Sequence, residues 1–180
     1  YMSYIKDNSE RFEVPPHLIW AIMKQESQFK SDARSQAGAI GLLQIMPFTG
    51  VKLAGLLKEN KFTPQSLLDP NTNIRLGTKY LSRLSERFSQ VVPLVAAAYN
   101  AGPHRVMSWM SHFGYLTTDE FIEHIPFSET RLYVKKVMEN MWTYEQLYGK
   151  KEKLFPYLAQ TIPINVTKGF YVAEYWDQPE

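Results

Sequence analysis

Apolar residues recur along much of this chain at helical spacing, and the clearest run is Pro15 to Phe29, PPHLIWAIMKQESQF. Two prolines open it, which suits a first helical turn, where a missing N–H costs nothing. Leu18, Ile19, Ile22 and Met23 then fall on one face, at the three- and four-residue steps of an amphipathic helix. Glu26 continues that face rather than the opposite, solvated one. A carboxyl group among apolar side chains loses hydration, which disfavours its charged form and suits it to deliver a proton near neutrality. The pattern leaves a second reading open, a carboxylate at the edge of the stripe that reaches water.

The same reasoning orders the rest of the chain. The polar stretch Tyr1 to Arg11, with Tyr4, Ile5 and Phe12, predicts a short leading helix or turn packed on the main helix. Periodicity is lost in the glycine-rich segment after Phe29, which reads as a loop with a short helical turn around Leu42 to Met46. Pro47 predicts a helix reaching about Leu57, and Asp69-Pro70 is a cap followed by proline at a first helical position. The helix beyond it carries Ile74, Leu81, Leu84 and Phe88 at helical spacing. Pro93 opens LVAAAYNAGP, apolar on every side and so buried all round, and Asn100-Ala101-Gly102-Pro103 stops it. HRVMSWMSHF and DEFIEHI predict two short helices. Ser128 is expected to cap a long helix to about Tyr148, with Gly149 as a left-handed terminator; its apolar positions include Val134, Val137, Met141, Tyr144 and Tyr148, three and four residues apart. In the tail, INVTKGFYVAEYW reads as a hairpin or as an extended arm. The expectation is a mainly α domain over residues 1–149, with an extension, 150–180, that packs on it or on a neighbouring domain.

Composition narrows the chemistry. A chain of 180 residues holds one domain with a real core and a short appendage. A net charge of +2 with no long basic run lacks the footprint of a nucleic-acid binder. The absence of cysteine removes disulfide scaffolds, thiol nucleophiles and thiolate zinc sites. No stretch approaches the roughly 20 consecutive apolar residues of a membrane span. No secretory signal is visible and the first residue is Tyr1, which suggests a processed protein or a piece of a longer one. No serine sits in a nucleophile elbow, and His17, His104, His112 and His124 show no metal-ligand spacing. Phosphate-cradling glycine motifs are missing too. Acidic chemistry remains, with Glu26 the best-placed acid, and an aromatic content of 14% supplies rings that can stack on sugars.

Four ordered stretches sharpen this reading: ESQF at 26–29, GAIGLLQIMP at 38–47, AAYNAGP at 97–103 and IPFSETRLYV at 125–134, with Ala33-Arg34-Ser35 between the first two. Together they resemble the soluble lytic transglycosylase catalytic domain, the family with a goose-type, lysozyme-like fold, over about Val14 to Gly149. Leu43 departs from the family motif, which usually has methionine there. The resemblance implies cleavage of the β-1,4 bond between N-acetylmuramic acid and N-acetylglucosamine in peptidoglycan without water. Glu26 matches the catalytic acid, which then acts as base on the muramoyl 6-hydroxyl and yields a 1,6-anhydro end. Ordinary glycosidases use two flanking carboxylates; this family works with one, because the substrate's N-acetyl group is held to stabilise the cationic centre.

By the same resemblance, Ser35 and Gln44 hydrogen-bond substrate near the reacting centre, Met46 lines the cleft floor, and Tyr99 steadies the N-acetyl group or the catalytic carboxyl. Asn100 shapes its helix end and touches sugar secondarily, Glu129 tunes the acid or binds sugar, and Arg131 pairs structurally with an acid. Each of these also has a plain structural reading, as loop ties, core packing or a helix-dipole partner. The resemblance further implies no cofactor and no metal, peptidoglycan glycan strands as partner, other domains in a longer chain, and a place in the periplasm or cell envelope of a Gram-negative bacterium. Two rivals stand beside it. One is a hydrolytic muramidase in which Asp32 or another acid positions water. The other is a non-catalytic glycan-binding module, against which a costly desolvated carboxylate argues.

Overall fold

A proline or a side-chain cap starts most of the helices at places where the chain can spare an N–H, and buried apolar residues hold them in place. The computed structural model of the chain describes residues 1–150, 155 and 158–162. It contains α1 (Met2–Phe12), α2 (Pro16–Ser27), α3 (Pro47–Leu56), α4 (Pro70–Arg87), α5 (Val92–Ala101), α6 (Pro103–Phe113), α7 (Thr118–His124) and α8 (Ser128–Tyr148). A 3-10 helix, Pro64–Leu68, precedes α4. Extended pairing among the described residues is confined to isolated bridges. The chain divides into two compact units, Tyr1–Ser82 and the part from Arg83 onward.

In the first unit α1 packs on α2, and α3 on the 3-10 helix. Pro15 and Pro16 stand at the start of α2 as the sequence predicts, and Leu18, Ile19, Ile22 and Met23 are buried. Each such side chain contributes about 1.5–3 kcal/mol relative to an exposed one. Ile5 anchors α1, while Phe12 stays partly exposed beneath the Arg11 guanidinium and the Lys79 ammonium, 5.0 and 5.5 Å from its ring centre. Asp69 caps α4: its Oδ2 accepts from both the N–H and the hydroxyl of Thr72, each at 2.8 Å.

Two features of this unit differ from the sequence reading. The 3-10 helix went unread, although Pro64 and the reciprocal Thr63–Ser66 capping box mark its start. The segment 41–46 holds no helical turn. Ile40 and Ile45 instead exchange two backbone hydrogen bonds, of 3.0 and 3.1 Å, around a tight turn. Gly41 (φ 81) and Gln44 (φ 44) are left-handed, which a right-handed helical turn does not accommodate.

In the second unit α5 is buried continuously from Val92 to Ala98, all round as predicted, and packs against α8 and α6. Gly102, at φ 91, ends it. Val134, Val137 and Met141 of α8 are buried, while Tyr148 is exposed and stacks at 6.5 Å on Tyr144. Both predicted ends of α8 are corrected. Phe127, without a side-chain bond, holds the N-cap position, so Ser128 is the first helical residue. Gly149 is extended (φ −93, ψ −168) rather than left-handed, and its missing Cβ leaves room for the buried Glu145 carboxylate. Of the tail, Leu158 and Gln160 accept backbone bonds from Asp119 and Thr118 at 3.0 and 2.9 Å. The hairpin expected over 164–176 lies outside the described residues.

Candidate active site

Glu26 occupies the last turn of α2, half-buried at the end of its apolar stripe. Its neighbour Ser27 is buried, and the Ser27 hydroxyl donates to the carbonyl of Leu42 at 2.8 Å, across fifteen residues of chain. The end of α2 is thereby tied to the turn that carries Gln44.

Gln44 lies in that turn in a left-handed conformation with no helix end to explain it, and such backbone cost clusters at functional sites. Its side-chain N–H groups hold the turn, donating to the carbonyls of Gly41 (2.8 Å) and Ala33 (3.1 Å). With both donors spent on backbone, the group Gln44 has left to offer a ligand is its Oε1 acceptor. Ser35 is exposed, and its Oγ accepts from the N–H of Ala39 at 2.9 Å while its backbone N–H reaches the Ala39 carbonyl at 3.0 Å. Its hydroxyl proton stays available to a ligand. Met46 is exposed at the N-cap position of α3. Asp32 is exposed in the turn that follows α2.

In the second unit, Tyr99 is half-buried and Asn100 exposed on the last turn of α5. The Thr130 hydroxyl donates to the Asn100 Oδ1 at 2.7 Å, which links the end of α5 to the first turn of α8 and leaves the Asn100 amide N–H groups as donors. Glu129 is exposed beside Thr130, where an acid in a first turn complements the helix dipole. Arg131 donates to the backbone carbonyls of Ile125 (2.9 Å) and Glu123 (3.4 Å), so it finishes the end of α7 where an acid partner was expected.

One residue of this region escaped the sequence reading. Asn73, fully buried on α4, donates to the carbonyls of Leu67 (2.8 Å) and Ile40 (2.9 Å) and accepts from the N–H of Leu43 (2.8 Å). The signal was available. Asn73 lies four and eight residues before Gly77 and Leu81, on the apolar stripe of α4, as Glu26 lies on that of α2.

A mainly helical domain with this architecture has the lysozyme-like fold of the lytic transglycosylases. The 70 kDa soluble lytic transglycosylase of Escherichia coli matches with a TM-score of 0.82 and 38% identity, over 86% of this chain and 25% of that one. An inactive mutant of the lytic transglycosylase Slt from Pseudomonas aeruginosa gives 0.81 and 37%, with the same coverage of each chain.

Residues 3–122 match the family model of the transglycosylase SLT domain, and the chain belongs to that family. Residues 124–153 match the model of the soluble lytic transglycosylase helical domain, which takes in the fourth sequence motif. The soluble lytic murein transglycosylase of Escherichia coli (strain K12) is 38% identical over 156 residues, 86% of this chain and 24% of the relative. That of Salmonella typhimurium is 41% identical over 144 residues, 79% of this chain and 22% of the relative. The chain thus spans about a quarter of the length of these relatives.

Proposed function

We propose that this chain is the catalytic domain of a peptidoglycan lytic transglycosylase, cleaving the β-1,4 bond between N-acetylmuramic acid and N-acetylglucosamine. The observation that carries this reading is Glu26: a half-buried carboxyl on an apolar stripe, at a helix end fastened to the Gln44 turn through Ser27. Family membership supports it, as does a relative inactivated by exchange of one glutamate for glutamine.

In this mechanism Glu26 protonates the glycosidic oxygen as the bond to C1 breaks. The same carboxylate then takes the proton of the muramoyl 6-hydroxyl while that oxygen closes on C1. One bond is lost, one is gained, the proton passes through Glu26, and no water or cofactor enters. The chemistry left at the neighbouring groups fits an N-acetyl substituent: the Gln44 Oε1 accepts its N–H, and the Ser35 hydroxyl donates to its carbonyl. Met46 supplies an apolar surface, while Tyr99, Asn100 and Glu129 keep the substrate roles given by the family resemblance. The place of action is the periplasm or cell envelope of a Gram-negative bacterium, and no helix among the described residues is long and apolar enough to cross a membrane.

The test is mass spectrometry of fragments released from purified sacculi by the protein and by Glu26→Gln. Anhydro-ended fragments from the wild type, with the rate reduced on the order of 10²–10⁴-fold in the variant, are expected for loss of a general acid. Fragments one water heavier would make the protein a hydrolase. Binding without release of product would make it a glycan-binding module.

A further inference from the structure

We propose that Asn73 is a positioning residue for this reaction: its buried amide fixes the Gln44 turn against the Glu26 end of α2. The inference rests on the function proposed above. A primary amide has one acceptor oxygen and two N–H donors, and Asn73 places all of them on backbone groups. One bond, to the Ile40 carbonyl, holds the start of the turn, and another, from the Leu43 N–H, holds its middle. The third, to the Leu67 carbonyl, anchors Asn73 to the 3-10 helix. Leu43 sits between Leu42, whose carbonyl takes the Ser27 hydroxyl, and Gln44, whose side chain closes the turn.

The path from Asn73 to Glu26 therefore runs through Leu43, Leu42 and Ser27, each step covalent or a hydrogen bond of 2.8 Å. Two glycines mark how closely the pieces fit. A side chain at Gly41 would run into the Asn73 amide and the Leu67 carbonyl, and one at Gly77, a turn further along α4, would run into the Leu43 side chain. The turn meets α4 at Ile40 and Gly41, and again at Leu43. Aspartate at position 73 keeps an acceptor but loses both donors, and alanine loses all three groups. Either change frees the turn to move. A displacement of about 1 Å in a substrate-positioning group can cost roughly 100-fold in rate.

The experiment compares Asn73→Ala and Asn73→Asp with Leu81→Ala, a cavity on the same helix that touches none of these bonds, in the full-length protein. All are assayed at temperatures where circular dichroism shows them folded. The Asn73 variants are expected to lose about 100-fold in kcat with KM moving less than about threefold, while Leu81→Ala stays within about twofold of wild type. Exchange of backbone amides in the peptide spanning 40–46, read by mass spectrometry, should quicken at least tenfold in the Asn73 variants alone. A folded Asn73 variant with kcat within twofold of wild type overturns the proposal, as does an equal loss in Leu81→Ala. Should Asn73→Ala fail to fold, Asn73→Asp carries both readouts. Should the wild type release no anhydro-ended product, the functional reading falls and the exchange data decide: an Asn73 variant with unchanged protection overturns the proposal, and one with lost protection sustains the hold on the turn.

Discussion

In the turn at 40–45 backbone groups are bonded by side chains from elsewhere in the first unit, whereas α5 is held from Val92 to Ala98 by apolar burial. The turn draws on Ser27, Gln44 and Asn73 for hydrogen bonds to backbone atoms. Helix α5 is buried from Val92 to Ala98 and leans on α8 and α6. The energetic consequences differ. Apolar burial is non-directional and tolerates changes that keep volume, while a buried polar group that loses its partner carries the full cost of desolvation. A turn built from directed bonds holds side chains such as Gln44 in one geometry and is correspondingly easy to break. A helix built from apolar contact supplies a scaffold that degrades gradually.

The largest effect expected from this contrast is at Gly41. Its φ of 81 is costly for any residue with a Cβ, and alanine there would meet the Asn73 amide and the Leu67 carbonyl. Strained backbone and overpacking each cost about 1–3 kcal/mol. Gly41→Ala should therefore lose about 2–6 kcal/mol in urea denaturation, with the activity of any folded fraction depressed. A loss below about 1 kcal/mol would show that the turn yields easily and would erase the contrast.

The same contrast explains what could be read from the sequence. Helices α2, α5 and α8 were legible because periodicity and proline starts are local signals, and burial of Leu18, Ile22, Val134 and Val137 follows from them. Glu26 was legible for the same reason, as an acid on an apolar stripe. The turn was not, because Ile40 pairs with Ile45 around Leu43, whose N–H is held by Asn73, thirty residues further along. A periodic pattern carries no record of such a partner. The end of α8 was misread on similar grounds: glycine after a helix suggests a left-handed cap, yet Gly149 is extended beside the Glu145 carboxylate. The motifs carrying Ser35, Gln44 and Asn100 were recognisable by resemblance, but which of their polar atoms are already spent on backbone or on Thr130 was visible only in three dimensions.

A middle-sized effect tests the other side of the contrast. Val134 is fully buried on α8, and Val134→Ala should cost about 2–3 kcal/mol through lost burial and the cavity left behind. Met141, nearly as buried, should accept leucine at under about 1.5 kcal/mol, since the volume is kept. Thermal melts of the two variants decide the matter. A Met141→Leu change as damaging as Val134→Ala would mean that the second unit also depends on a single packed geometry.

The smallest effect sharpens the comparison, because it concerns a polar contact inside the apolar region. The Thr130 hydroxyl donates to the Asn100 Oδ1 at 2.7 Å, and Thr130 is buried while Asn100 is exposed. Valine at position 130 has nearly the shape of threonine and leaves no unpaired hydroxyl behind. The Asn100 oxygen, already at the surface, turns to water instead. Thr130→Val should therefore cost about 1 kcal/mol or less, in contrast to Ser27→Ala, which strips a buried donor from the Leu42 carbonyl and should cost about 1–3 kcal/mol. Chemical denaturation of both variants measures the difference directly. Equal losses would mean that exposure of one partner gives no relief, and that directed bonds matter as much at the end of α5 as they do in the turn beside Glu26.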